Sequence, residues 1–272
     1  LAKPWSWKEI EEMTEKSVKA GRSQWQSLLL VIFIVIAILG ISRCRQNEHL
    51  SAASFDQIAR TLFKNIYPYL ALQIKQDYGI NEGVCVDAGA GPGYLSIELA
   101  KITNLKIYAL DVDPEAIAIA QRNIARAGLK EKIEPVLANV EKMPFPDNSV
   151  DLVVSRGSFI FWQDKVQAFK EIKRILKPGG VAFVGGGMGN LLPLEERARI
   201  QEIMEKEKIG PPQDLQVSFE AMGDILRRAL IGDFKITTDA GCACGMWVEF
   251  KKAAASAEAN SDKGASKEID GG

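Results

Sequence analysis

The run Val84-Cys-Val-Asp-Ala-Gly-Ala-Gly-Pro-Gly-Tyr-Leu95 decides how the chain is read. An apolar stretch of the kind that fills a buried parallel strand ends in an acid, Asp87, and gives way to glycines at 89, 91 and 93. Glycine takes up left-handed backbone without steric cost and lets the chain approach a ligand where a Cβ would collide. The helical pattern that begins at Tyr94 turns its unpaired N–H groups toward the same spot. In an open α/β sheet that spot, beyond the carboxyl end of the first strand, receives nucleotide-like ligands.

Working outward, a second strand is predicted over Lys106 to Leu110 with Asp111 behind it. That is close to the interval of about 20 residues at which a ribose-binding acid follows such a bend. A third strand, Ile133 to Leu137, leads to Asn139-Val140, placed where an adenine edge is read. Helices are expected over Tyr94 to Ile102 and Pro114 to Ala127, and a strand over Val150 to Ser155. A helix over Asp164 to Leu176, stopped by Pro178-Gly179, precedes a strand over Val181 to Val184. Asp113 is expected to cap the helix at Pro114 rather than to bind ribose. Phe234 to Thr238 and Met246 to Phe250, joined by a glycine-containing link, read as a closing hairpin. Helical spacing from Phe55 to Ile74 gives one or two leading helices. The fold class expected is α/β, a doubly wound Rossmann-like seven-stranded sheet, mostly parallel with an antiparallel C-terminal hairpin.

Four regions follow: a polar segment 1–24, a hydrophobic segment 25–42 expected to be a membrane anchor, an α/β domain 50–252 and a tail 253–272 expected to be disordered. The strictly apolar run 28–41 is shorter than the roughly 20 residues that cross a bilayer, and its uncharged flanks bring it close. Arg22 and Arg43 on either side leave its orientation open. The chain starts at Leu1 rather than Met, which suggests a truncated reading frame. The tail is too poor in large apolar side chains to offset the entropy of ordering. With 34 basic and 35 acidic residues the net charge is -1, so no nucleic-acid partner is expected. The one histidine, His49, precedes the domain, which excludes a core imidazole mechanism, and the cysteines at 44, 85, 242 and 244 lack the spacing of a metal cage.

VDAGAGPGYLS, ALDVDPEAIAIAQRN, EKMPFPDNSVDLVVS and RILKPGGVAFV together resemble the class I S-adenosylmethionine-dependent methyltransferases, with similarity to the ubiquinone/menaquinone C-methyltransferase group. The resemblance spans about Phe55 to Lys252. It implies S-adenosyl-L-methionine as cofactor, with Asp87, Gly89, Gly91 and Gly93 forming the loop at its methionine end and Asp111 holding its ribose. Ala88, Val112, Val140 and Ser155 complete the implied cofactor set. Asn139 stands where the family usually has an aspartate, and its carbonyl can still accept the adenine amino group. A nicotinamide or flavin dinucleotide fits less well, because Tyr94 occupies the position that the dinucleotide fingerprint gives to a small residue.

The implied reaction is in-line methyl transfer to a small-molecule acceptor, with catalysis through positioning and no required catalytic side chain. The alternative is a non-catalytic cofactor-binding or scaffolding protein on the same fold. Tyr67, Arg156, Ser158 and Phe159 are the candidates for the acceptor pocket. Arg156 either pairs with an acidic group of the acceptor or satisfies carbonyls at a strand end, and Phe159, Phe161 and Trp162 either line the pocket or pack a helix on the sheet. The glycines of Gly185-Gly-Gly-Met-Gly189 suggest backbone close to a ligand or a mobile lid, or else a flexible connection to an insertion that holds Pro193 and Pro211-Pro212. Cys242 and Cys244 would face the same side of a strand, as small buried residues or as a thiol pair for a soft metalloid. The domain is expected in the cytoplasm, held at a membrane by residues 25–42.

Overall fold

The computed structural model describes residues 51–210, 212–240 and 245–253. The polar segment 1–24, the proposed anchor 25–42, Cys44, His49, Cys242, Cys244 and nearly all of the tail lie outside them. Among the described residues no helix is long and apolar enough to cross a membrane.

Seven strands form one sheet: β1 (Glu82–Ala88), β2 (Asn104–Asp111), β3 (Ile133–Leu137), β4 (Val150–Arg156), β5 (Leu176–Gly186), β6 (Phe234–Thr237) and β7 (Met246–Lys251). Their order is β3-β2-β1-β4-β5-β7-β6, the first five parallel and β7 antiparallel to both neighbours. The expected mostly parallel sheet with an antiparallel C-terminal pair is therefore present. β1 lies between β2 and β4, so successive crossovers leave it in opposite directions, and the carboxyl ends of β1 and β4 flank the switch point.

Alternation along the strands feeds two apolar layers. Cys85, Ile107, Leu152 and Phe183 face a layer with α1 (Ala52–Thr61), α2 (Ile66–Tyr78), α3 (Tyr94–Ile102) and α4 (Pro114–Arg126). Val86, Leu110, Val153 and Val184 face the other, with α5 (Lys165–Ile175) and α7 (Phe219–Arg228). Phe169 of α5 is fully buried there, a contribution of about 1.5–3 kcal/mol for a large apolar side chain. Asp113 caps α4 as expected, accepting the Glu115 N–H at 2.8 Å ahead of Pro114. Asp164 does the same for α5, taking the Gln167 N–H at 2.9 Å.

Two stretches differ from expectation. α5 stops at Ile175, and Leu176 is already in β5, paired with Val150. Lys177, Pro178 and Gly179 lie within a register shift of that strand rather than in a turn after a helix. Lys177 stabilises this shift by reaching Asp151 at 2.8 Å, and Asp151 in turn accepts the Val84 N–H of β1. Between β5 and β6, where the sequence signalled only an insertion, stand α6 (Leu194–Lys206) and α7, the latter capped by Ser218.

Candidate functional site

The bend after β1 has left-handed backbone at all three glycines, with φ of +73° at Gly89, +53° at Gly91 and +80° at Gly93. The Gly89 and Ala90 N–H groups donate to the Leu110 carbonyl at 2.8 and 2.9 Å, which fixes the bend against the end of β2. A Cβ on Gly89 would sit 2.3 Å from the Ser158 side chain, whereas one on Gly91 would meet only the Phe55 ring, at 3.7 Å. The Asp111 carboxylate turns toward the bend and accepts the Gly91 N–H at 2.8 Å and the Asp113 N–H at 3.0 Å. A carboxylate offers about four lone-pair sites, so about two remain for a vicinal diol.

Beside Asp111, Val112 is 68% exposed and Leu137, its neighbour's partner across β3, is 58% exposed. They leave a small apolar surface suited to the face of a base. Asn139 is exposed next to them, with its Oδ1 accepting the Glu141 N–H at 2.8 Å, and Val140 is buried. The Asn139 oxygen keeps a second lone pair and its amide two donors. Asp87 is buried at the end of β1, where Ser96 donates to it at 2.7 Å. Burial pushes its carboxyl up to about 7, against the opposing pull of the Ser96 hydrogen bonds.

The pocket candidates separate into two groups. Ser158 supports the bend, its hydroxyl donating to the Ala88 carbonyl at 2.8 Å and lying 2.7 Å from the hydroxyl of buried Ser155. Phe159 is buried in the second apolar layer, 3.9 Å from where a Cβ on Gly186 would be. Trp162 packs edge-on against Phe169 in that layer, so these aromatics brace α5 on the sheet. Tyr67 and Arg156 come together instead. The Arg156 guanidinium lies 5.2 Å from the Tyr67 ring centre and 4.9 Å from that of Phe63. The Tyr67 ring is 5.6 Å from Tyr94, the first residue of α3 after the glycine bend. Burial raises the Tyr67 hydroxyl above the ordinary phenol range, while Arg156 pulls it down.

Residues 185–189 are not the loose lid that so many glycines suggested. Asp239 accepts the N–H groups of Met188 at 2.7 Å and Gly189 at 2.9 Å, together with the Trp247 indole N–H at 2.7 Å. Arg197 faces the same carboxylate at 3.4 Å. The glycines are needed for close packing, since a Cβ on Gly187 would come within 2.6 Å of Asp239 and one on Gly185 within 2.1 Å of the Met246 carbonyl. Sequence reasoning also missed the residues that cover the bend. Asp56 of α1 accepts from the Tyr94 hydroxyl and from Asn123, both at 3.0 Å, and Asn123 donates to the Pro92 carbonyl at 3.0 Å. A polar residue on the apolar face of α4, such as Asn123, was the available signal.

Residues 86–184 match the family model for a methyltransferase domain, a span running from β1 to β5. A crystal structure of a Methanococcus maripaludis protein assigned as an S-adenosyl-L-methionine-dependent methyltransferase is 37% identical, covers 77% of this chain and 97% of its own, and superposes with a TM-score of 0.68. The chain belongs to the class I S-adenosylmethionine-dependent methyltransferases. Within that family, it is 31% identical over 180 residues to a sterol 24-C-methyltransferase of Aspergillus fumigatus, covering 66% of this chain and 47% of that one. A demethylmenaquinone methyltransferase of Chlorobaculum parvum is 34% identical over 110 residues, or 40% and 43% of the two chains. The methyltransferase thus spans about half the length of the curated relatives it matches, and the family-model match over 86–184 includes the glycine bend and the acid after β2.

Proposed function

We propose that the protein transfers a methyl group from S-adenosyl-L-methionine to a small-molecule acceptor by in-line displacement. The observation that carries the reading is the Asp111 carboxylate turned onto the Gly91 N–H at 2.8 Å, with lone pairs left for a ribose. In this reading Asp87, Ala88, Gly89, Gly91 and Gly93 line the methionine end. Asp111 and Val112 hold the sugar, and Asn139 and Val140 meet the adenine, while Ser155 acts through Ser158 on the bend. The bound cofactor supplies the activated methyl group, so the protein's part is to orient the acceptor and exclude water. Tyr67 and Arg156 border the acceptor side.

Titration calorimetry with S-adenosylhomocysteine tests the first half of the proposal. Micromolar binding is expected, and no heat at saturating product overturns it. Methyl transfer to a panel of quinols, phenols, thiols and arsenite tests the second half. Cofactor binding with no transfer to any of them would favour the scaffolding role. The uncharged run 25–42 supports a domain held at a bilayer, and dependence on a cytosolic cofactor would put that domain on the cytoplasmic side. Full-length chain should then sediment with membranes and a chain beginning at residue 43 should not. Equal partition of the two defeats the anchor.

A further inference from the structure

We propose that Arg156 is a preorganised anchor for an oxyanion on the methyl acceptor, a carboxylate or a phosphate ester, so that the acceptor is an anionic small molecule. The inference rests on the methyltransferase reading above.

Arg156 ends β4 at the switch point, and its guanidinium lies over the rings of Phe63 and Tyr67 at 4.9 and 5.2 Å. Its Nε donates to the Gly187 carbonyl at 2.9 Å. It is half-buried, and among the described residues no carboxylate approaches it within ion-pair distance. Withdrawing a cation from water without a counter-ion costs stability, and aromatic faces offset only part of that cost. Strand-end carbonyls could be satisfied by a neutral donor, so the charge itself is unexplained by the fold. A guanidinium carries five donors in a rigid fork; the Gly187 carbonyl takes the Nε–H and the Tyr67 hydroxyl draws on the fork as well, which still leaves terminal N–H groups to meet an oxyanion.

The fork is also held still. Asp239 fixes the Met188 and Gly189 N–H groups, and Gly187 packs so closely that a Cβ there would lie 2.6 Å from the Asp239 carboxylate. The carbonyl that orients Arg156 therefore cannot drift. On the other side, Tyr67 separates the guanidinium from Tyr94 and the glycine bend by one ring, with 5.6 Å between the tyrosine centres. An oxyanion on Arg156 would thus place the rest of a small acceptor beside the carboxyl ends of β1 and β4.

The test uses full-length protein saturated with S-adenosylhomocysteine and three probes of similar shape: benzoate, phenyl phosphate and neutral benzamide. Calorimetry or line-broadening NMR should give at least about tenfold tighter binding of one anion than of benzamide, as expected for a charge-assisted pair. Which anion wins distinguishes carboxylate from phosphate. Arg156→Gln should remove the preference while leaving S-adenosylhomocysteine affinity within about twofold. Because that variant could fold poorly, modification of wild-type Arg156 by phenylglyoxal, followed by peptide mass spectrometry, supplies a second readout. The preferred anion should slow it several-fold, and benzamide should not. Equal binding of all three probes, an unchanged preference in Arg156→Gln or an unprotected Arg156 overturns the proposal. Failure of S-adenosylhomocysteine to bind the wild type would instead overturn the methyltransferase reading itself.

Discussion

The bend at 87–94 and the assembly around Arg156 lie on either side of Tyr67, yet they are encoded differently. The bend is written in contiguous residues. Three glycines at fixed offsets have φ between +53° and +80°, and the next strand supplies Asp111 to receive the Gly91 N–H. Arg156 is held by a carbonyl of Gly187, which is held through Asp239, while its rings come from Phe63 and Tyr67. No spacing rule links positions 63, 156, 187 and 239. Local backbone demands leave a local signature, whereas a side-chain relay exists only once the sheet order brings β4, β5 and the β6–β7 link together.

If the two regions are separable, Asp239→Ala should damage one and spare the other. It removes a buried carboxylate that takes three N–H groups and faces Arg197. Breaking a buried pair of this sort costs about 3–5 kcal/mol, which for a domain of this size lowers Tm by about 10 °C. Thermal denaturation should show that loss, and any acceptor-side preference for anions should fall with it. S-adenosylhomocysteine affinity in the folded fraction should change by less than about threefold. A drop of a hundredfold would show that the bend depends on the relay and would end the distinction.

Asp111→Ala is the reciprocal probe. Charge-assisted hydrogen bonds to a diol contribute about 1.5–3 kcal/mol, so S-adenosylhomocysteine should bind roughly 10- to 100-fold more weakly. Anion binding at Arg156 should persist. Unchanged cofactor-product affinity would remove Asp111 from the site.

The same contrast explains what was legible in the sequence. Periodicity and glycine punctuation identified six of the seven strands closely, because a buried strand or a bend is dictated by its own residues. β5 was placed short at its start, since Lys177-Pro-Gly-Gly180 reads as a helix stop and becomes strand only by pairing Leu176 with Val150. From their place after β4, Ser158 reads as a pocket residue and Phe159 as either lining the pocket or packing a helix on the sheet. Tertiary packing turns one onto the Ala88 carbonyl and the other into the apolar layer. The glycines at 185–189 read as freedom and serve instead to let Asp239 and Met246 approach.

Asp87 belongs to both regions, closing β1 at the bend while its charge is felt by Tyr67, and it allows the boundary between them to be titrated. Its carboxyl is pushed up by burial to about 7 from an ordinary value of 3.8, with Asp111 adding to the rise and Ser96 opposing it. Between those values the folded protein holds a proton that the unfolded chain has lost. Stability must therefore fall as pH rises from about 4 to about 7 and stay level above, as far as this group is concerned. Asp87→Asn keeps an oxygen for the Ser96 hydroxyl and removes the titration. The variant should match wild type near pH 4 and melt up to about 10 °C higher at pH 8, with the gap opening across that interval. A gap that is constant with pH would mean that Asp87 loses its proton at the same pH in the folded and unfolded chain, so that the Ser96 hydrogen bonds offset the burial that favours a neutral acid at this strand end.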